Sequence, residues 1–142
     1  KGIALLLRAV AQLDGAWQLH LVGDGPQRET LLALAVQLGI AQRVRITPRV
    51  PSTAMPAVYH HFDLLVLPSL TRPNWKEQFG RVLVEAMASG LPVVGSDSGE
   101  IPNVIGDAGL IVPEGDVRAL IDALATLQND AGLRAHLAAK GR

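Results

Sequence analysis

Apolar residues recur with two different periods along the chain, and segments of the two kinds alternate. Residues 5–13 place leucine, alanine and valine at helical spacing, which predicts an amphipathic helix. Short, continuous apolar runs, such as residues 17–22 and 63–67, predict strands that are covered on both faces. The breaks between these segments contain glycine, proline and aspartate, as at residues 23–26, which are residues that favour turns.

Taken along its whole length, the pattern predicts an alternating α/β chain. Strands are expected at residues 17–22, 44–47, 63–67, 92–95 and 109–112. Helices are expected at residues 5–13, 27–38, 51–62 (with Ser52 as N-cap), 79–89, 98–105, 116–127 and 130–139. Buried strands that alternate with helices predict a Rossmann-like, three-layer α/β domain with a mostly parallel sheet. One domain, residues 1–142, accounts for the whole pattern.

Composition and charge exclude several classes of function. Lysine plus arginine and aspartate plus glutamate each number 13, so bulk charge gives no attraction to nucleic acid or to an anionic membrane. The chain has no cysteine, which excludes a disulfide framework and thiolate metal sites. No apolar run approaches the roughly 20 residues of a membrane-spanning helix, and the first residues resemble a helix rather than a signal peptide. A cytoplasmic location is therefore expected.

The candidate chemistry lies in the loop after residues 63–67, because ligands of open α/β sheets bind at the carboxyl ends of strands. This loop leads into the predicted helix 79–89, whose exposed N–H groups and dipole attract phosphate. Gly80 would let an anion approach the backbone closely. Glu77 and Glu85 could each accept bonds from a pair of hydroxyls, as a nucleotide sugar presents on both sides of its diphosphate. Alternatively, Glu77 only complements the helix dipole and Glu85 is a solvated surface residue.

The residues around these glutamates resemble a known family. Residues 77–94 read EQFGRVLVEAMASGLPVV, which is similar to the E-x-F-G-x4-E-A-M-A-x-G-x-P-V-V signature of the retaining GT-B glycosyltransferases called group 1 or family 4. Further matches are Lys1-Gly2 before a leucine pair, LVGDGP at 21–26, SDSGEIP at 96–102 and GLIVP at 109–113. The resemblance covers essentially the whole chain and implies the C-terminal, donor-binding half of a GT-B fold.

The resemblance implies a role for each matching position. Glu77 is the candidate catalytic residue and would bind the hydroxyls of the donor sugar, and Glu85 would bind those of the ribose. The other implied donor-binding residues are Lys1, Arg81 and Val82 at the diphosphate, Phe79 and Gly80 at the sugar, and Arg49 and Val50 near the base. No cofactor and no metal are expected, because lysine and arginine support the leaving diphosphate. The implied partners are a nucleotide-sugar donor, no nucleic acid, and a membrane surface that the complete enzyme can contact peripherally.

The chain also departs from the family pattern. The family's first strand, which usually ends in Gly-Arg, is expected before Lys1, and its place in the sheet is between the strands at 17–22 and 63–67. The N-terminal acceptor-binding domain is expected to lie outside this chain, so the chain alone would bind a donor without transferring the sugar. Glu100 stands where many relatives have glycine. Two other functions stay open, a nucleotide-sugar epimerase or phosphorylase of the same fold and a non-catalytic nucleotide-binding module.

Overall fold

The computed structural model describes residues 2–142, so the expected role of Lys1 lies outside the described residues. The strands are β1 (Leu19–Val22), β2 (Val44–Thr47), β3 (Leu65–Leu67), β4 (Val93–Ser96) and β5 (Gly109–Val112). The α-helices are α1 (Ile3–Val10), α2 (Arg28–Gln37), α3 (Met55–Tyr59), α4 (Arg81–Ala88), α5 (Ile101–Ile105), α6 (Val117–Asn129) and α7 (Ala131–Gly141). Short 3₁₀ turns at Ala41–Arg43 and Ser52–Ala54 precede β2 and α3.

All the strand pairs are parallel, as the pattern of buried strands predicts. The strands form two separate sheets, one of β1 and β2 and one with the order β3-β4-β5. Leu19 pairs with Val44 in the first sheet, and Leu65 pairs with Val93 in the second. The strands on the two sides of the gap that the resemblance predicts, β1 and β3, therefore belong to different sheets.

Helices cover both faces of the strands and complete three layers. Successive residues of β4 point to opposite faces, so Val94 joins a core cluster with α1, α2 and α6, while Val93 joins a second cluster with α3, α4 and α5. Both valines are fully buried, and in β3 Val66 and Leu67 divide between the clusters in the same way. The predicted three-layer α/β architecture is therefore confirmed.

The predicted helix 51–62 is wrong in its bounds and in its cap. The structure has a 3₁₀ turn from Ser52 and then only the short α3, and Ser52 makes no capping hydrogen bond. The reason lies at Pro56, which has no N–H and whose ring would clash with the carbonyl four residues earlier inside a longer helix. In the structure Pro56 lies in the first turn of α3, where a proline is tolerated.

The last two helices begin at aspartates that act as N-caps. The carboxylate of Asp116 accepts a hydrogen bond from the backbone N of Ala119 at 2.9 Å, and that of Asp130 accepts one from Leu133 at 2.8 Å. Helix α7 then returns across the domain and contacts α4. Within residues 2–142, no helix combines the length and the apolar character that crossing a membrane requires.

Candidate functional site

The first turn of α4 has the backbone geometry of an anion-binding helix start. Gly80 precedes the helix with φ +67°, a left-handed conformation that glycine adopts without strain. In contrast to Asp116 and Asp130, the N-cap residue of this helix has no side chain that could accept a hydrogen bond. Among the described residues, no side chain accepts from the N–H groups of Arg81 and Val82, which can therefore donate to a negatively charged ligand.

Glu85 lies one turn further along α4, with both of its carboxylate oxygens engaged. Oε1 accepts a hydrogen bond from Nε of Arg81 at 2.9 Å, and Oε2 accepts one from the hydroxyl of Tyr59 at 2.9 Å. Burial raises the pKa of Tyr59, and the hydrogen bond to Glu85 raises it further, so the tyrosine remains a protonated donor. Glu85 is thus a fixed acceptor rather than a freely solvated side chain.

A cavity of about 480 Å³ opens beside this pair. Its volume is in the range of ordinary ligand pockets. The cavity is lined by Arg49, Val50, Pro51, Ser52, Met55, Arg81 and Glu85. Four of these are predicted donor-binding residues, namely Arg49, Val50, Arg81 and Glu85. A second cavity of about 670 Å³ shares Arg81 and Glu85 with the first and also borders Tyr59. The segment after β2 and the face of α4 therefore form one continuous recess.

Glu77 does not line either cavity, but the loop before α4 holds it firmly. Its Oε1 accepts a hydrogen bond from the backbone N of Gly80 at 3.2 Å, and its Oε2 accepts one from the hydroxyl of Ser69 at 3.4 Å. Its backbone O accepts a third from the backbone N of Glu100 at 2.9 Å. Gly99, with φ +54°, brings the two segments so close that a Cβ there would lie 1.9 Å from the Glu77 oxygen.

The remaining predicted residues take different positions around the helix start. The side chain of Phe79 is 60% exposed. Val82 packs against the core cluster of α3, α4 and α5, so only its backbone is available to a ligand. The side chain of Glu100 accepts a hydrogen bond from Asn103 at 2.8 Å and therefore turns along α5.

Sequence analysis missed a polar network at the carboxyl ends of β3, β4 and β5. The hydroxyl of Thr71 lies 2.9 Å from the hydroxyl of Ser98 and donates a hydrogen bond of 2.8 Å to the carboxylate of Glu114. Ser69 and Ser98 are completely buried. Their positions directly after buried strands were the available signal, since polar groups at such ends are buried only when they have partners. Within residues 2–142, no three His, Asp or Glu side chains are grouped to hold a metal ion.

Comparison with known proteins identifies the family. The profile of the family described as "Glycosyl transferases group 1" matches residues 1–130. The chain is 36% identical over 151 aligned positions to a GDP-mannose-dependent alpha-(1-6)-phosphatidylinositol monomannoside mannosyltransferase of Mycolicibacterium smegmatis, with all of this chain and 39% of that protein covered.

Solved structures give the same result. The chain matches sucrose-phosphate synthase from Thermosynechococcus elongatus with a TM-score of 0.87 and 31% identity, covering 99% of this chain and 36% of the other. It matches Anabaena Alr3699/HepE, solved in complex with UDP, with a TM-score of 0.88 and 27% identity, covering 99% and 39%. The chain therefore spans well under half the length of these proteins. By its sequence and its Rossmann-like GT-B half, the chain belongs to the group 1 family of glycosyl transferases.

Proposed function

We propose that this chain binds the nucleotide-sugar donor of a retaining glycosyl transfer. The observation that carries the proposal is the cavity in which Arg49, Val50, Arg81 and Glu85 meet, directly beside the start of α4. Glu85 binds the ribose hydroxyls, the first turn of α4 binds the diphosphate, and Glu77 binds the hydroxyls of the sugar and acts in catalysis.

The spacing along α4 supports this order of groups. A helix rises about 1.5 Å per residue, so Glu85 lies roughly 6 Å beyond the first helical residue, Arg81. A diphosphate at the helix start would therefore place the attached ribose beside Glu85, with the base near Arg49 and Val50. Glu77 lies on the other side of the helix start, where the sugar would extend.

Charge at the site supports a leaving diphosphate. The side chain of Arg81 is 74% exposed and contacts Glu85 only through Nε among the described residues. Its other guanidinium nitrogens can therefore reach an adjacent phosphate. Positively charged groups and backbone N–H donors stabilise the charge that develops on a leaving phosphate. We accordingly expect neither a metal ion nor another cofactor in the transfer.

The relatives indicate the class of substrate but do not identify the specific donor. One relative is named for GDP-mannose and one solved structure contains UDP, so the proposed substrate is a nucleoside-diphosphate sugar. The chain covers 39% of that mannosyltransferase. We therefore expect these 142 residues to bind a donor, and we assign transfer to the intact protein.

Isothermal titration of the intact protein with UDP, GDP and ADP tests the proposal. One of the three should bind, and Glu85→Gln should weaken it by roughly tenfold or more, because a hydrogen bond to a charged group contributes about 1.5–3 kcal/mol. Glu29→Gln is the matched control, since Glu29 is exposed in the first turn of α2. Failure of the folded protein to bind any of them, or equal effects of the two substitutions, would contradict the proposal.

A further inference from the structure

Tyr59 is the one tyrosine of the chain and the last residue of α3. Its side chain is only 2% exposed and packs in the core cluster with residues of α4 and α5. No motif considered above assigns it a role. Its aromatic ring is nevertheless fixed by the core, so the position of its hydroxyl group is fixed as well.

The hydroxyl reaches out of the core to the carboxylate of Glu85. It donates to Oε2 at 2.9 Å across a separation of 26 residues. A hydrogen bond to an ionised acceptor is stronger than one between neutral groups. A carboxylate has about four lone-pair positions, so the bond from Tyr59 leaves both oxygens of Glu85 able to accept hydroxyl groups of a ligand.

The other partner of Glu85 cannot hold the carboxylate in the same way. Arg81 is one helical turn before Glu85, and its side chain is 74% exposed. Exposed ion pairs at this spacing are weak and are screened by salt. A nucleotide diphosphate would also compete for the arginine. Of the two contacts, only the one from Tyr59 is anchored in the core and independent of the ligand's charge.

We propose that Tyr59 is a positioning residue that orients the carboxylate of Glu85 toward the ribose hydroxyls of the donor. The inference rests on the proposed role of Glu85 and extends it to a residue outside the family signature. Tyr59 touches neither the diphosphate nor the sugar in this account. Its removal should therefore reduce only the part of the binding that depends on the ribose hydroxyls.

Titration of the intact protein with paired nucleotides separates this role from a general structural one. The probes are UDP, GDP and ADP and, for the one that binds, its 2′,3′-dideoxy analogue, which lacks both hydroxyls. The variants are Tyr59→Phe, Glu85→Gln and the double variant. Ser89→Ala is the control, since the hydroxyl of Ser89, the residue after α4, donates a bond of 2.9 Å to the backbone O of Glu85 rather than to the carboxylate.

The unaltered protein should bind the nucleotide with both ribose hydroxyls roughly tenfold or more tightly than its dideoxy analogue, as expected for hydrogen bonds to a charged group. Tyr59→Phe should reduce that preference by roughly three- to tenfold, as expected for the loss of one hydrogen bond, and leave binding of the dideoxy form unchanged. It should have no further effect when Gln replaces Glu85, and Ser89→Ala should keep the preference. Both ligands are titrated into the same preparation, so a smaller folded fraction changes the stoichiometry and not the ratio.

Results that contradict the role of Tyr59 differ from those that contradict the donor site itself. Equal weakening of both ligands by Tyr59→Phe, or an undiminished preference, would overturn the positioning role while the donor site stands. If the unaltered protein binds none of the nucleotides, or if Glu85→Gln leaves the preference intact, the proposed function fails and the role of Tyr59 fails with it.

Discussion

Replacement of Gly99 by alanine is expected to displace Glu77, because the two segments touch through their backbones. A Cβ on Gly99 would lie 1.9 Å from the backbone O of Glu77, and contacts shorter than 3.0 Å are essentially never seen. The two backbones must therefore separate by about 1.1 Å, the difference between these two distances. The hydrogen bond from Glu100 N to Glu77 O, now 2.9 Å, would be strained by the same movement.

A displacement of this size should remove the contact of Glu77 with the sugar. Hydrogen bonds operate over donor–acceptor distances of about 2.7–3.2 Å, so a shift of about 1 Å takes the carboxylate out of range. Losing a hydrogen bond to a charged group costs about 1.5–3 kcal/mol, which corresponds to roughly ten- to a hundredfold in affinity. The affinity for the nucleoside diphosphate alone should change little.

Gly39→Ala is the control for backbone strain. Gly39 has φ +72° and Gly99 has φ +54°, but a Cβ on Gly39 would meet no surrounding atom within 4 Å. Alanine at either site takes on the strain of a positive φ, about 1–2 kcal/mol. Only the substitution at Gly99 also displaces Glu77.

The assay is isothermal titration of both variants with UDP and UDP-glucose, or with GDP and GDP-mannose, whichever pair the unaltered protein binds. Gly99→Ala should lose the additional affinity that the sugar provides, and Gly39→Ala should retain it. Both variants should melt at a lower temperature than the unaltered protein. An equal loss in the two variants, or full retention in Gly99→Ala, would show that the contact between Gly99 and Glu77 does not position the sugar-binding carboxylate.

Three further predictions follow from single residues. Glu77→Gln should preserve the melting temperature and the binding of a nucleoside diphosphate but weaken the nucleotide sugar roughly tenfold in the same titrations; an unchanged sugar contribution would contradict its role. Asp116→Ala should lower the free energy of unfolding by about 1 kcal/mol in urea denaturation, because the bond to Ala119 N caps α6; no change would show that the cap is not needed. Burial, followed by repulsion from Arg45, lowers the pKa of His20 below 6.5. The unfolded chain therefore binds protons more readily than the folded one, and the free energy of unfolding should fall as the pH drops below 6.5. His20→Gln should reduce this dependence of the unfolding free energy on pH, and equal slopes in the two proteins would contradict the prediction.

The site residues that the chain's own pattern indicated are encoded locally, whereas Arg49 and Val50 were indicated only by the resemblance to a known family. Glu77, Gly80 and Glu85 lie within nine consecutive residues, so one loop and one helix determine their relative positions. The bond from Tyr59 joins positions 26 residues apart, and the contact of Gly99 with Glu77 joins different loops. Neither has a periodic signature in the sequence, because packing of separate elements creates both.

The fold shows the same difference between local and distant information. Continuous apolar runs predicted all five strands, although β1 begins at Leu19 rather than at Trp17. The guanidinium of Arg43 instead lies over the ring of Trp17, 4.0 Å from the ring centre. The folded chain makes this contact, and the hydrophobic pattern does not predict it. The error in the predicted helix 51–62 was avoidable, since Pro56 is disfavoured in the interior of a helix and tolerated only in its first turn.

The proposed donor site can be tested by a crystal structure of the intact protein with the nucleoside diphosphate that it binds. The diphosphate oxygens are expected within about 3 Å of the backbone N–H groups of Arg81 and Val82, with the ribose hydroxyls on the carboxylate of Glu85 and the base near Arg49. A nucleotide bound elsewhere on the domain, or bound here with its ribose directed away from Glu85, would contradict the proposed site.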